Sequence, residues 1–257
     1  MLFPRFVTCK KERIYIQLID FHTHILPGID DGSKDIDMTV RMLEEESRQG
    51  VSHIYATPHF YAHRRSVEAF LERRENALGK VNELLERRVD LPQITAGAEV
   101  YYFRGMGRAE QLPQLCIEGT DLLLLEMPFA QWNRDVLNDV NDIIYRRHLR
   151  IVLAHVERYE HLQKDRRVWD EIMDMPLTIQ MNADSFTAGF TSGLQAVRTS
   201  KFCLRTLQEH DNCIIGTDCH NLTDRAPRIA EARAAIQKKA GADRLKQLDE
   251  YTEELLG

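Results

Sequence analysis

Residues 13–24 read RIYIQLIDFHTH, an apolar β-branched run that passes directly into Asp20, His22 and His24. A run of this composition reads as a strand, here Ile14 to Phe21, and the polar residues then lie at its carboxyl end. The same grammar recurs along the chain. Further strands are expected at Val51 to Thr57, Gln93 to Glu99, Leu122 to Glu126, Ile151 to Ala154, Leu177 to Asn182 and Cys213 to Gly216. Between them lie amphipathic stretches at Asp35 to Gln49, Ser66 to Arg88, Val136 to His148, Val168 to Met175 and Leu194 to His210, with two more helices after Pro227. Strands alternating with helices indicate parallel pairing through helical crossovers, and seven such strands predict a closed or nearly closed β/α barrel rather than an open sheet.

The 257 residues, 43% of them hydrophobic, can bury a large core, and neither a repeat nor a Pro/Gly/Ser-rich linker divides them. Net charge is −6, so the surplus of positive charge that a nucleic-acid backbone demands is missing. No apolar run approaches the ~20 residues of a spanning helix, so membrane insertion is not expected. Cys9, Cys116, Cys203, Cys213 and Cys219 are odd in number and contain no C-x-x-C pair, which fits a reducing cytoplasm better than a disulfide scaffold.

In a β/α barrel the chemistry collects where strands end. Six of the seven expected strands end on His, Asp or Glu: Asp20, His22 and His24; His59; Glu99; Glu126; His155 and Glu157; Asp218 and His220. One H-x-H pair among 10 histidines carries little information, but imidazole and carboxylate at so many ends of one rim is what a multinuclear metal site requires. His53, His148, His161 and His210 fall at a strand start or on helical surfaces and are read as structural, whereas His63, four residues after His59, is a candidate substrate contact.

The segments Asp20 to Ser33, Ala56 to His59, Gly97 to Glu99, Leu124 to Pro128, Ala154 to Arg158 and Gly216 to Asn221, with Arg225, resemble the polymerase and histidinol phosphatase (PHP) superfamily. Within it they look like the metal-dependent bacterial tyrosine-protein phosphatases associated with capsule and exopolysaccharide systems. The resemblance implies an α/β fold: a single-domain, distorted (β/α)7 PHP-type barrel over residues 18–257, with a metal site at the C-terminal ends of the strands. Residues 1–17 are expected to be an extension outside it. Three divalent ions are implied: one on His22, His24, Glu99 and Asp218; a second on Glu99, Glu126 and His155; a third on Asp31, His59 and His220. Manganese is expected first, with iron, zinc and cobalt as alternatives. Arg158 and Arg225 match positions that face the phosphate.

Three divalent ions exceed the charge of those four carboxylates by about two units, which suits a phosphomonoester dianion. A metal-activated hydroxide would then attack phosphorus without a protein nucleophile. The expected substrate is phosphotyrosine protein, in the first place the Tyr-rich tail of a bacterial tyrosine kinase that regulates polysaccharide synthesis, and self-association into a homo-oligomer is compatible with the sequence. Histidinol phosphate or another small phosphomonoester is the alternative substrate on the same fold. A cysteine-dependent phosphatase is disfavoured although Cys219 and Arg225 have the C-x5-R spacing, because this loop lacks Gly and carries Asp218 and Asp224 beside the thiol. A non-catalytic metal-binding module is disfavoured because structural sites are usually compact and closed, not gathered from many strand ends.

Overall fold

The computed structural model describes residues 18–188 and 192–256. The expected extension at 1–17 and the start of the first strand, Ile14 to Gln17, lie outside them. β1 (Leu18–Thr23), β2 (Val51–Ala56) and β4 (Gln93–Ala96) form a three-stranded sheet in the order β1-β2-β4. β3 (His59–Phe60), β5 (Glu99–Tyr101), β6 (Leu122–Glu126), β7 (Arg150–Leu153), β8 (Thr178–Asn182) and β9 (Cys213–Gly216) follow one another in a second sheet. All these pairings are parallel.

Two of the expected strands are therefore broken. The run through Val51 to Thr57 stops at Thr57-Pro58 and resumes as β3 in the other sheet, and Gln93 to Glu99 is interrupted at Gly97-Ala98, so Glu99 opens β5 instead of closing β4. Pro58 has no N–H to give a ladder, and Gly97 lies where a Cβ would stand 2.3 Å from Ile117 Cδ1. Backbone bonds from Gly97 N to Ala56 O (2.8 Å) and from Glu99 N to Pro58 O (3.0 Å) carry the chain across the break. On the opposite margin β1 meets the end of β9 through a Thr23–Cys219 bridge, Asp218 N to His22 O (2.7 Å) and His24 N to Cys219 O (3.0 Å).

Strand alternation divides the core into two layers. Phe21, Leu122, Leu124, Val152, Ala154 and Ile214 pack together on one side of the strands. Leu123, Leu125, Ile151, Leu153, Ile179 and Ile215 belong to the larger cluster, which also holds the apolar faces of the helices. The C-terminal helix α7 (Ala242–Leu256, numbered after the six helices below) inserts Leu255 and Tyr251 into the smaller cluster; Arg150 donates to Leu255 O and the Tyr251 hydroxyl meets Thr178. Arg150 and Thr178 open β7 and β8, so α7 covers the end of the sheet remote from the acidic and histidine residues.

The helices form where periodicity places them, with small differences at their ends. α1 (Ile36–Arg48) begins at Asp35, whose side chain accepts from Met38 N, and stops before Gly50 at φ +90°. α2 (Val67–Leu85) is capped by Ser66. α3 (Arg134–Asn141) runs into a wider π turn at Asp142–Arg146, and α4 (Arg167–Met173), α5 (Leu194–Glu209) and α6 (Ile229–Ala240) follow. α2 also braces two loops near the rim: Arg73 donates to Gly28 O (2.9 Å) and buried Arg74 to Gly97 O (3.2 Å).

α1 is tied to β1 by a buried acid pair. Asp20 accepts from Thr217 N (2.8 Å), the Thr217 hydroxyl and His22 N (3.2 Å), while Glu46 of α1 lies against it and against Cys219 Sγ (3.7 Å). Burial, and then the neighbouring Asp20, raise the Glu46 pKa well above the ordinary carboxylate range, so Glu46 keeps its proton when the unfolded chain has lost it. Stability is accordingly lost as pH rises from the unfolded value towards the folded one. Glu46→Gln retains the shape and an N–H donor without this titration. The variant should match wild type near pH ~4 and melt at progressively higher temperature than wild type by pH ~8. Thermal denaturation across that range is the check, and a pH-independent difference would contradict it.

Candidate metal centre

The alternation of β1 places Ile19 and Phe21 beside the inner cluster and Asp20 against α1, and a register shift between Asp20 and Thr23 breaks the pattern before the histidines. His22 and His24 both reach the same place, with Nε2 atoms 3.2 Å apart. Two glycines permit this crowding. A Cβ on Gly32 would stand 2.1 Å from His24 O, and one on Gly216 2.7 Å from His22 Cβ.

Around these histidines the expected residues converge. His22, His24, Glu99 and Asp218 present ligand-capable atoms within 4.8 Å of one another, as do His24, Asp31, His59 and His220, and again His59, Glu99 and Glu126. His155 joins through Nε2, 2.8 Å from Glu99 Oε1 and 3.7 Å from Glu126 Oε1. All nine expected ligands thus lie in one contiguous cluster. Glu99 is central, 3.3 Å from both His22 and His24 and 2.8 Å from His59 Nδ1. His155 and Asp218 hold left-handed backbone conformations, φ +32° and +52°, which non-glycine residues adopt at a cost that the surrounding packing must offset; outside the cluster His148 does the same at φ +56°.

Three of the imidazoles are oriented by acceptors on the side away from the cluster. His22 Nδ1 faces Gln180 Oε1 (3.1 Å), His24 Nδ1 faces Asp30 Oδ2 (2.8 Å) and His220 Nδ1 faces the Asp218 carbonyl (2.9 Å). Each partner only accepts, so Nδ1 donates and the Nε2 lone pair is turned to the cluster, the arrangement that orients metal-binding histidines. The Nε2 atoms of His22 and His24, 3.2 Å apart, are placed to share a cation; without one a proton takes that place, since burial is outweighed by Glu99 and Asp218, which raise the pKa of His22, and by Asp30, which does the same for His24. Among the described residues six buried side-chain N or O atoms lack a hydrogen bond, and four of them belong to His59, Glu99, Glu126 and His220. Orphaned atoms of this kind are rare in proteins, and here they share one space with the donor chemistry that divalent metals take. The residues fit the expected ions.

Electrostatics agree. Burial opposes ionisation of Glu99, but His22 and His59 outweigh it and hold the carboxyl well below its usual range. Burial, then the charge of Glu99, pushes Glu126 up to about 8, and burial pushes His155 down to about 4. The cluster without cations therefore holds a carboxyl with a proton to release and a neutral imidazole, both of which metal binding would draw into use.

Arg158 donates to Asp218 Oδ2 (2.7 Å) and Arg225 to Asp218 Oδ1 (2.8 Å). Both expected phosphate arginines thus stand on Asp218, one of the expected ligands, and are about one-third exposed (36% and 32%). His63 is exposed and outside the cluster, 5.8 Å from the Tyr61 ring. His53 bonds Thr95 (2.9 Å), and His148, His161 and His210 also stay outside. Cys219 is fully buried against Glu46; burial, then Glu46 and Asp20, raise its thiol well above the ordinary range, which leaves the C-x5-R reading without a nucleophile.

Several positions escaped the sequence reading. The sixth strand, which ends on no ligand, supplies Gln180 and Asn182: Gln180 Oε1 also accepts from His155 N (2.8 Å), and Asn182 donates to Asp218 Oδ2 (2.9 Å). The same-face Gln-x-Asn spacing was the available signal. Asp30 and Tyr159, whose hydroxyl lies 3.0 Å from His155 Nδ1, were likewise missed.

Fold and side chains together define a class: a parallel α/β protein whose strand ends gather a dense set of metal-ligand residues. The chain belongs to the capsular polysaccharide synthesis CpsB/CapC family, whose model matches residues 18–254. It is 29% identical over 236 residues to the tyrosine-protein phosphatase CpsB of Streptococcus agalactiae serotype III (strain NEM316), covering 90% of this chain and 94% of that one. With the tyrosine-protein phosphatase YwqE of Bacillus subtilis (strain 168) it shares 26% over 247 residues, 93% and 91% of the two chains. A crystal structure from work on YwqE and the CpsB of Streptococcus pneumoniae, described as unique metal-dependent tyrosine phosphatases, has the same fold, with TM-score 0.78 and 24% identity over 93% of this chain and 94% of that one.

Two substitutions separate ligand from support. Glu99→Gln should lower bound metal in purified protein most strongly, since it removes the charge next to the most histidines. Gln180→Leu should weaken metal affinity by roughly 10- to 100-fold while leaving every ligand in place. Metal titration followed by elemental analysis reads both, and wild-type affinity in Gln180→Leu would remove it from the site.

Proposed function

We propose that this chain is a metal-dependent protein-tyrosine phosphatase of residues 18–257, built as a distorted PHP-type (β/α)7 barrel in which two of the seven expected strands are each split between the two sheets, with its centre at the carboxyl ends of the strands. The observation that carries the reading is the convergence of nine histidine and carboxylate side chains at one place, four of them, His59, Glu99, Glu126 and His220, with a buried N or O atom that makes no hydrogen bond. The names of the relatives and the matching family support it. His22, His24, Glu99 and Asp218 would hold one divalent ion, Glu99, Glu126 and His155 a second, and Asp31, His59 and His220 a third, with manganese expected first. Bound there, divalent ions supply Lewis acidity for activating water and neutralising phosphoryl oxygens.

The remaining work belongs to the protein. Arg158 and Arg225 stand on Asp218, with further guanidinium N–H groups that make no hydrogen bond among the described residues, and they are placed to bind phosphate oxygens by charge-assisted contacts. Phe129 is 48% exposed on the loop after β6 and stacks on His155 at 6.2 Å, while Tyr61 lies 5.2 Å from His59. These two rings flank the cluster and suit the phenyl ring of phosphotyrosine. Of the aromatic pair after β2, only Tyr61 is available, since Phe60 is buried against Phe70. A phenol of pKa about 10 leaves with little proton assistance, which favours phosphotyrosine over the alkyl ester of histidinol phosphate. A phosphotyrosine protein, first a bacterial tyrosine kinase of polysaccharide synthesis, is the expected partner. The four described cysteines are unpaired and buried, which fits the reducing cytoplasm. No described helix is long and apolar enough to cross a membrane.

Exhaustive chelation should abolish hydrolysis of phosphotyrosine peptides and manganese should restore it, with Cys219→Ser remaining active. An enzyme that survives chelation but dies with Cys219→Ser would overturn the metal mechanism. Arg225→Ala should keep its metal content and lose at least roughly tenfold in kcat/KM. Kinetics within about twofold of wild type would leave Arg225 as a surface ion pair.

A further inference from the structure

A cleft of about 420 Å3 opens beside the candidate centre, lined by Asp31, His59, Tyr61, Arg64, Arg65 and Phe70. Its two arginines lie in the loop between β3 and α2, whose turn is closed by Arg64 N to Tyr61 O (2.9 Å). The Arg64 guanidinium lies over the Tyr61 ring, 4.5 Å from its centroid, and that ring contacts His59 and Tyr101 (5.2 and 5.6 Å). Neither guanidinium is paired with a carboxylate among the described residues, in contrast to Arg73 and Arg74 on the following helix, which are bonded to the loops they brace.

The acids at the mouth of the cleft are already engaged. Asp30 accepts from His24, Gly32 N and His59 N, and Asp31 lies 3.5 Å from both His59 and His220. Two cations without counter-ions thus share a cleft with metal-ligand side chains. Planar guanidinium groups recognise carboxylate and phosphate by paired N–H donors, and Arg64 is held in place by its aromatic neighbour.

We propose that Arg64 and Arg65 form an anion subsite that selects phosphotyrosine peptides carrying a second negative group, carboxylate or phosphate, close to the scissile residue. This deepens the tyrosine-phosphatase reading and rests on it. The subsite acts through substrate affinity. It gives a chain of net charge −6 a local means of attracting an anionic peptide, so the preference should weaken as salt rises.

The test compares kcat/KM of manganese-loaded wild type and Arg64→Ala/Arg65→Ala on three phosphotyrosine peptides, flanked by Glu, by a second phosphotyrosine or by Gln, with p-nitrophenyl phosphate as a substrate lacking flanks. Wild type should prefer the two anionic peptides, and the comparison between them tells whether carboxylate or phosphate is the better occupant. The double variant should lose the preference by roughly tenfold, through KM, while p-nitrophenyl phosphate is still hydrolysed. Arg64→Glu/Arg65→Glu should reverse it. An unchanged ratio in an enzyme that hydrolyses all three peptides overturns the subsite alone, and so does a parallel fall on every substrate. Wild type that hydrolyses p-nitrophenyl phosphate but no phosphotyrosine peptide overturns the tyrosine-phosphatase reading and the subsite with it.

Discussion

Crowding of ionisable groups at one buried rim is the constraint on which this structure turns. Glu99 and Asp218 are buried, His22 and His24 face each other at 3.2 Å, and burial, then the charge of Glu99, pushes the Glu126 pKa up to about 8. Such a grouping is unfavourable by itself, because buried charges require partners. The protein meets the demand with a rigid frame: imidazoles fixed by Gln180, Asp30 and a backbone carbonyl, strained backbone at His155 and Asp218, and arginines against Asp218.

The broken strands are part of that frame. Were Gln93 to Glu99 one continuous strand, Glu99 would end in the same sheet as β1. The Gly97-Ala98 interruption instead hands it to the second sheet, where it pairs beside His59 and Leu124. The residue with the most cluster neighbours therefore stands at the seam between the two sheets.

Much of this was legible in the sequence because strand ends in a β/α fold point to one rim, so the convergence of histidines and carboxylates could be anticipated from position, while their grouping around ions, and Asp31, came from the resemblance. His22, His24, Asp31, His59, Glu99, Glu126, His155, Asp218 and His220 all came from that logic and the resemblance built on it. Amides and hydroxyls such as Gln180, Asn182 and Tyr159 were not legible, since their roles depend on which tertiary partner they meet. The seams at Thr57-Pro58 and Gly97-Ala98 were hidden for another reason: composition marks a strand but not the sheet it joins. Asp20 looked like part of the cluster, yet the alternation of β1 turns it towards Glu46.

The helix at the chain's end has a consequence for traffic. With Leu255 and Tyr251 packed into the smaller cluster, α7 covers the remote end of the sheet among the described residues, and the histidine and carboxylate cluster opens at the rim. In the proposed reaction, peptide would enter and inorganic phosphate leave at that rim. Free phosphate there would compete with the next substrate for Arg158 and Arg225. Substrate and product would thus share one end of the sheet because α7 occupies the other, and the strength of inhibition by phosphate would be set by the groups at the rim.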